Sequence, residues 1–207
     1  VGLCYCRHKA QHLGQACDQP LDICMTFNTS AESLTRHGHA RAIDAAECLD
    51  LLDQAYERGL VQFGENVQQR VNFICNCCGC CCEALLAQKR FTHLHPVHTT
   101  NWLPSVDHDR CNGCGRCVAA CPVDAIAVAE AGSAKTEVVG ETAAAGVAPD
   151  APAVPDPQPR RGRARGVARI DAEVCLGCGV CVRSCHRDAL ALSPRSERVI
   201  TPVNDAH

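Results

Sequence analysis

The sequence predicts an α+β fold. A small, mainly helical, cysteine-rich domain over residues 1–90 is followed by a module built from two copies of one unit about a pseudo-two-fold axis. Three observations predict it. One 23-residue pattern occurs twice in the second half. Two helix-start signals lie in the first half. Nineteen cysteines stand among 207 residues, while aromatic residues make up 3% and Met occurs once. So few large side chains make a lean core, and bound metal would supply folding free energy in its place.

Cysteine density of this order has three usual sources: a secreted disulfide scaffold, structural zinc, or iron–sulfur clusters. The first fits poorly. The cysteine count is odd, no stretch reads as a signal peptide, and many cysteines are too close together for independent bridges. No run of eighteen apolar residues occurs, so no membrane-spanning helix is expected, and the chain reads as cytoplasmic. A formal net charge of −3 gives no general case for nucleic-acid binding.

From the N-terminus, Thr29 precedes Glu32 by three residues, a capping-box spacing, and Gly38 closes the short helix it predicts. Asp44 and Glu47 repeat the arrangement and open a helix to Arg58 that Gly59 terminates. Its apolar stripe is Cys48, Leu51, Leu52 and Ala55, which makes Cys48 a packed residue rather than a ligand. A third helix is expected from about Cys82 through Glu83–Lys89. Residues 91–105 read as a His- and Thr-rich connector. Its His93, His95 and His98 have a spacing that suits metal but read as exposed side chains.

The repeat follows. Val106 to Val128 reads VDHDRCNGCGRCVAACPVDAIAV, and Ile170 to Leu192 reads IDAEVCLGCGVCVRSCHRDALAL; 11 of the 23 aligned positions are identical. Each copy predicts an apolar lead-in, a cysteine loop, a brief helix and a closing strand. Between them the tract Ala129–Arg169, with an insertion at about 129–167, is rich in Ala, Pro and Arg, has no helix or strand period and reads as disordered. Its five arginines (Arg160, Arg161, Arg163, Arg165, Arg169) read as a solvated linker. The module is expected to run over 106–193, and 194–207 as a strand or tail.

Cys111-x2-Cys114-x2-Cys117-x3-Cys121, with Pro122 after it, has the spacing of ligands to paired four-iron, four-sulfur clusters, and Cys175, Cys178, Cys181 and Cys185 repeat it. Thiolates on every third residue of a loop can take three irons of one cubane. The fourth cysteine, a turn further on, faces the neighbouring cluster. Crossed sets result: Cys111, Cys114, Cys117 and Cys185 for one cluster, Cys175, Cys178, Cys181 and Cys121 for the other. Gly113, Gly115, Gly177 and Gly179 let the loops turn and bring backbone N–H groups against the sulfurs. Zinc knuckles use paired C-x2-C units without the third evenly spaced cysteine.

Residues 106–128 and 167–193 resemble the bacterial dicluster ferredoxin family. The resemblance implies two [4Fe-4S] clusters, single-electron transfer and redox partner proteins. Two features depart from the family pattern: His186 stands where the first copy has Pro122, and 53 residues separate Cys121 from Cys175.

The remaining cysteines fall into two groups, Cys4, Cys6, Cys17 and Cys24, and the run Cys75, Cys77, Cys78, Cys80, Cys81 and Cys82. Soft thiolates in this number suit iron–sulfur clusters, zinc or monovalent copper. The expectation is at least one further iron–sulfur cluster with ligands from both groups, with zinc as the alternative. The region resembles cysteine-rich extensions on predicted ferredoxin-like proteins. Arg7, His8, Lys9 and His12 follow the first cysteine pair and read as solvated or as offsetting a cluster's charge. No nucleotide loop, flavin site or nucleophile–base pair is recognisable, so no catalytic residue is assigned. The function expected is electron transfer, alone or as a subunit of a larger oxidoreductase. The rivals are a redox enzyme acting at the N-terminal cysteines and a redox or metal sensor.

Overall fold

The structure is a computed structural model that describes residues 1–97, 100–129, 166–196 and 198–204. Helix α1 (Tyr5–His12) starts at Cys4 and leads into the loop that carries Cys17. The two-residue strand β1 (Met25–Thr26) precedes α2 (Asn28–Arg36). That helix begins one residue before Thr29, so the expected Thr29 cap is corrected: Thr29 lies in the first turn, and no side chain caps the helix. Gly38, at φ 72°, closes it as expected.

Helix α3 (Ala45–Glu57) follows its sequence signal closely. The Asp44 carboxylate accepts a hydrogen bond from the Glu47 N–H at 2.9 Å, removing one orphan donor of the first turn. Ala55 is fully buried, Leu51 and Leu52 are half-buried, and Gly59 leaves the helix at φ 69°. Cys48 has its Sγ 3.6 Å from Met25 Sδ, a packing contact.

The first half is less purely helical than the sequence suggests. Strands β2 (Val61–Gly64) and β3 (Phe73–Cys77) pair antiparallel with β1 on the other side of β3. The register sets Val61 against Cys77 and Phe63 against Cys75. Strand alternation puts Cys75 and Cys77 on one face, with Asn76 on the other. Asn76 is fully buried and donates to the Ile23 carbonyl at 2.7 Å. Helix α4 (Glu83–Arg90) then starts at Cys82, as expected, and a 3-10 turn (Thr92–Leu94) follows.

The duplicated unit appears as β4 (Trp102–Val106), α5 (Arg116–Ala120), β5 (Ile126–Ala129), and β6 (Val167–Ile170), α6 (Val180–Arg183), β7 (Leu190–Pro194). Strand β4 takes in the last residues of the expected connector. Each opening strand pairs antiparallel with the closing strand of the other copy, β4 with β7 and β6 with β5. The hydrogen bonds repeat as the sequence does. Asp107 N–H donates to the Ala189 carbonyl at 2.8 Å, and Asp171 N–H donates to Ala125 at 2.9 Å. The carbonyls of Asp107 and Asp171 in turn accept from Cys111 and Cys175, both at 3.0 Å.

Ala129 pairs with Val167, so the two ends of the insertion leave from adjacent strands. The insertion's residues 130–165 lie outside the described residues, as do Arg160, Arg161, Arg163, Arg165 and His98. Arg169 lies on β6. Among the described residues 195–204, none forms a strand. The Gln68 and Gln69 N–H groups donate to the carbonyls of Pro202 and Val203.

One apolar core joins the two halves of the chain. Val61, Cys77, Cys82, Leu85 and Val97 pack with Val123, Ala125, Cys175, Leu176 and Val180. Arg183 reinforces the contact, donating to the Tyr56 and Leu60 carbonyls at 2.9 and 3.0 Å while its guanidinium covers the Tyr56 ring. Gly79 lies against Pro122 so closely that a Cβ there would stand 2.7 Å from the Pro122 carbonyl oxygen. Pro122 is buried and meets Gly79 of the N-terminal half, whereas His186 is exposed.

Candidate iron–sulfur and metal centres

The two cysteine loops of the duplicated unit have the same construction. Gly113 (φ 66°) and Gly177 (φ 70°) occupy the left-handed region, and a Cβ at either would strike the carbonyl of Gly166 or Trp102. Only glycine lets the loop turn while lying that close to the neighbouring backbone. Cys111, Cys114 and Cys117 line a small cavity together with Cys185 from the other copy. Cys121 lies in the electrostatic surroundings of Cys175, Cys178 and Cys181.

Backbone N–H groups reach the sulfurs in matching places. Ala125 N–H donates to Cys121 Sγ at 3.2 Å, and Ala189 N–H donates to Cys185 Sγ at 3.3 Å. Ala168 serves Cys111 at 3.4 Å and Gly177 serves Cys175 at 3.4 Å. Such donors stabilise negative charge on a thiolate and so tune a bound centre. Arg195 clamps the second loop, its guanidinium donating to the carbonyls of Cys175 (2.6 Å), Thr100 (3.1 Å) and Ala172 (3.3 Å).

The two sets differ in exposure. Cys114 is exposed and Cys111 half-buried, while Cys175 and Cys181 are buried. Burial pushes the thiols of Cys117, Cys175 and Cys178 up and that of Cys181 to about 12. A cation must therefore displace protons to bind, which couples metal uptake to pH.

The ten N-terminal candidates divide into two sets. Cys17, Cys78, Cys80 and Cys81 bring their sulfurs within 4.8 Å of one another. The others, Cys4, Cys6, Cys24, Cys75, Cys77 and Cys82, line an apolar cavity of about 430 Å³, whose wall Cys78 and Cys81 also join. Their thiols interact in sequence around it: Cys4 with Cys24, Cys24 with Cys75, Cys75 with Cys77, Cys77 with Cys82 and Cys82 with Cys6. Hydrogen bonds from Cys24 and Cys77 pull the Cys75 thiol down to about 4, and one from Cys77 pulls Cys82 to about 6. The cavity's soft donor set and apolar walls suit an iron–sulfur cluster.

Arg7 departs from the solvated default of its basic cluster. It is 1% exposed. Its guanidinium donates to the Pro20 carbonyl, to the Asn76 carbonyl at 3.0 Å and to Cys78 Sγ at 3.8 Å. Its basic neighbours His8, Lys9 and His12 stay near the surface, where Lys9 pairs with Glu83 and the His8 and His12 rings meet edge to face. No histidine joins a group of three or more metal-ligating side chains among the described residues.

Among the described residues, no helix is long and apolar enough to cross a membrane. No curated protein matches the chain. The family model of the 4Fe-4S dicluster domain matches residues 110–189, the span that carries both quartets and both helices of the repeat. The C-terminal part of this chain is a ferredoxin-like dicluster region, with an iron–sulfur electron-transfer role.

Proposed function

We infer that the chain is an electron carrier, or the electron-transfer subunit of a larger oxidoreductase, with a third iron–sulfur centre in its N-terminal half. When bound, each cluster takes up and returns one electron. Cys111, Cys114, Cys117 and Cys185 hold one [4Fe-4S] cluster, and Cys175, Cys178, Cys181 and Cys121 hold the other. The two copies of the repeat are related by a pseudo-two-fold axis, which the exchanged strand pairing supports. The further cluster draws its ligands from Cys4, Cys6, Cys24, Cys75, Cys77 and Cys82.

The observation that carries this reading is the shared core. Cys75, Cys77 and Cys82 pack into the same apolar cluster as Cys121, Cys175 and Cys178. Centres held by the two sets would then be separated by close-packed protein with no intervening solvent. On the far side, exposed Cys114 brings the remaining set to the surface, where a redox partner protein can approach. Four backbone N–H groups donate to the sulfurs and favour the more negative, reduced state, while the Arg195 clamp on backbone carbonyls holds the second loop in one geometry.

Reductive titration of anaerobically purified protein, followed by electron paramagnetic resonance and paired with an iron count, tests this reading. The two quartets require about eight irons per chain, and the third centre requires more. An iron content that stops at the dicluster value rejects the N-terminal cluster. Signals with no magnetic interaction between centres count against the shared-core arrangement.

A further inference from the structure

Four of the ten N-terminal thiols form a compact set, although Cys78 and Cys81 also touch the larger cavity that the other six line. In the compact set, Cys17 Sγ lies 3.6 Å from Cys78 and 3.8 Å from Cys81, and Cys80 and Cys81 are 3.7 Å apart. Four sulfurs at the corners of a tetrahedron around one zinc ion, at a zinc–sulfur bond of about 2.3 Å, stand about 3.8 Å apart along each edge. The thiolates of a cubane bind four different irons and are spread further by the width of the cluster. The same chain supplies a comparison. Among the described residues, only Cys17, Cys78, Cys80 and Cys81 form a group of three or more potential ligands closed to within 4.8 Å, and neither ferredoxin quartet does so.

A second observation concerns charge. Arg7 is a buried cation that makes no ion pair with a carboxylate among the described residues, and its guanidinium points at Cys78 Sγ. A buried guanidinium needs an anion beside it. Four thiolates around a divalent ion carry two net negative charges, which Arg7 offsets in part.

The geometry points to a mononuclear zinc centre held by Cys17, Cys78, Cys80 and Cys81, with Arg7 as its buried counter-charge. The site joins the loop after α1 to the turn after β3. That turn carries Gly79, which rests on Pro122 beside Cys121. A cleft next to the site is lined by Cys78, Cys80, Cys121 and Pro122 together. The ion acts as a staple between those two N-terminal segments and so fixes the turn whose Gly79 rests on the loop of the dicluster region. Binding releases the remaining thiol protons to solvent and involves no electron transfer.

The test is metal analysis and zinc-edge X-ray absorption on the full chain, purified anaerobically with its iron centres intact. One zinc per chain is expected, with four sulfur neighbours at about 2.3 Å. The double variant Cys80→Ser/Cys81→Ser is expected to lose the zinc and keep its iron, while Cys48→Ser keeps both. Absence of zinc from the native protein, nitrogen or oxygen in its shell, or a Cys17–Cys78 disulfide would overturn the proposal. So would a single iron ion at the site, or loss of iron in the double variant. The absorption measurement on native protein stands even where the double variant does not fold. Zinc and iron are counted in the same sample, so failure here is distinct from failure of the electron-transfer reading.

Discussion

Replacing Arg7 by methionine keeps most of the side-chain volume and removes the charge and the fork of donors. Arg7 is 1% exposed, so solvent cannot reach the groups it leaves behind. The Asn76 and Pro20 carbonyls each lose a charge-assisted hydrogen bond, and Cys78 loses its cationic neighbour. Hydrogen bonds to a charged group contribute about 1.5–3 kcal/mol each, and removing one partner of a buried ion pair costs about 3–5 kcal/mol. These losses overlap, and the methionine's packing returns part of them, so the net cost is about 3–5 kcal/mol. For a chain of this size each kcal/mol moves the unfolding midpoint by about 2–4 °C, giving a fall of roughly 6–20 °C. The assay is thermal unfolding of anaerobic holoprotein by circular dichroism at a fixed scan rate. Arg7→Lys keeps the charge but not the planar fork, and is expected to fall between wild type and Arg7→Met. A midpoint for Arg7→Met within about 2 °C of wild type would refute the reasoning, because it is less than one kcal/mol.

Three further outcomes follow from particular contacts. Gly79→Ala places a Cβ 2.7 Å from the Pro122 oxygen and 2.9 Å from its Cα, atoms of the backbone that cannot step aside. A loss of about 1–3 kcal/mol is expected in thermal unfolding, whereas Gly64→Ala, whose Cβ meets nothing nearer than 3.9 Å, is expected to be neutral; equal effects would contradict the contact. Cys185→Ser is expected to leave the same residual paramagnetic spectrum as Cys114→Ser, and a spectrum matching that of Cys178→Ser would overturn the crossed assignment. Arg195→Gln removes a positive charge beside the Cys175 loop and is expected to make one centre's reduction potential more negative. An unchanged potential in a mediated titration would place that charge outside the centre's influence.

The parts of this molecule that were legible in the sequence are the locally encoded ones. The spacing of Cys111 to Cys121 and its copy depends on a single loop and turn, so no tertiary knowledge is needed to read it. The α3 cap is likewise a three-residue matter, and Asp44 binds the Glu47 N–H as its spacing suggests. The three-stranded sheet is hidden in the sequence because its strands are two to five residues long and two of the five residues of β3 are cysteine, which masks the alternation. The division of the ten thiols was illegible for a related reason. In ICNCCGCCC, strand alternation points Cys75 and Cys77 into the cavity, and the turn then swings Cys78, Cys80 and Cys81 toward Cys17. Neighbours in the sequence therefore have different thiol partners. Arg7 looked solvated because its helix is short and basic, and only tertiary packing against Asn76 and Pro20 buries it. The Pro122–His186 difference between the copies coincides with a contact outside the repeat, the approach of Gly79 to Pro122.

The central claim is that the two quartets of the dicluster region hold a pair of cubanes. Mössbauer spectroscopy of iron-57-enriched protein, purified without oxygen and never reconstituted, measures this directly. The account predicts about eight irons in four-iron clusters assigned to residues 111–185, lost in part with each quartet variant. Zinc bound by either quartet, or an iron spectrum unchanged when Cys114 and Cys178 are both replaced by serine, would contradict it.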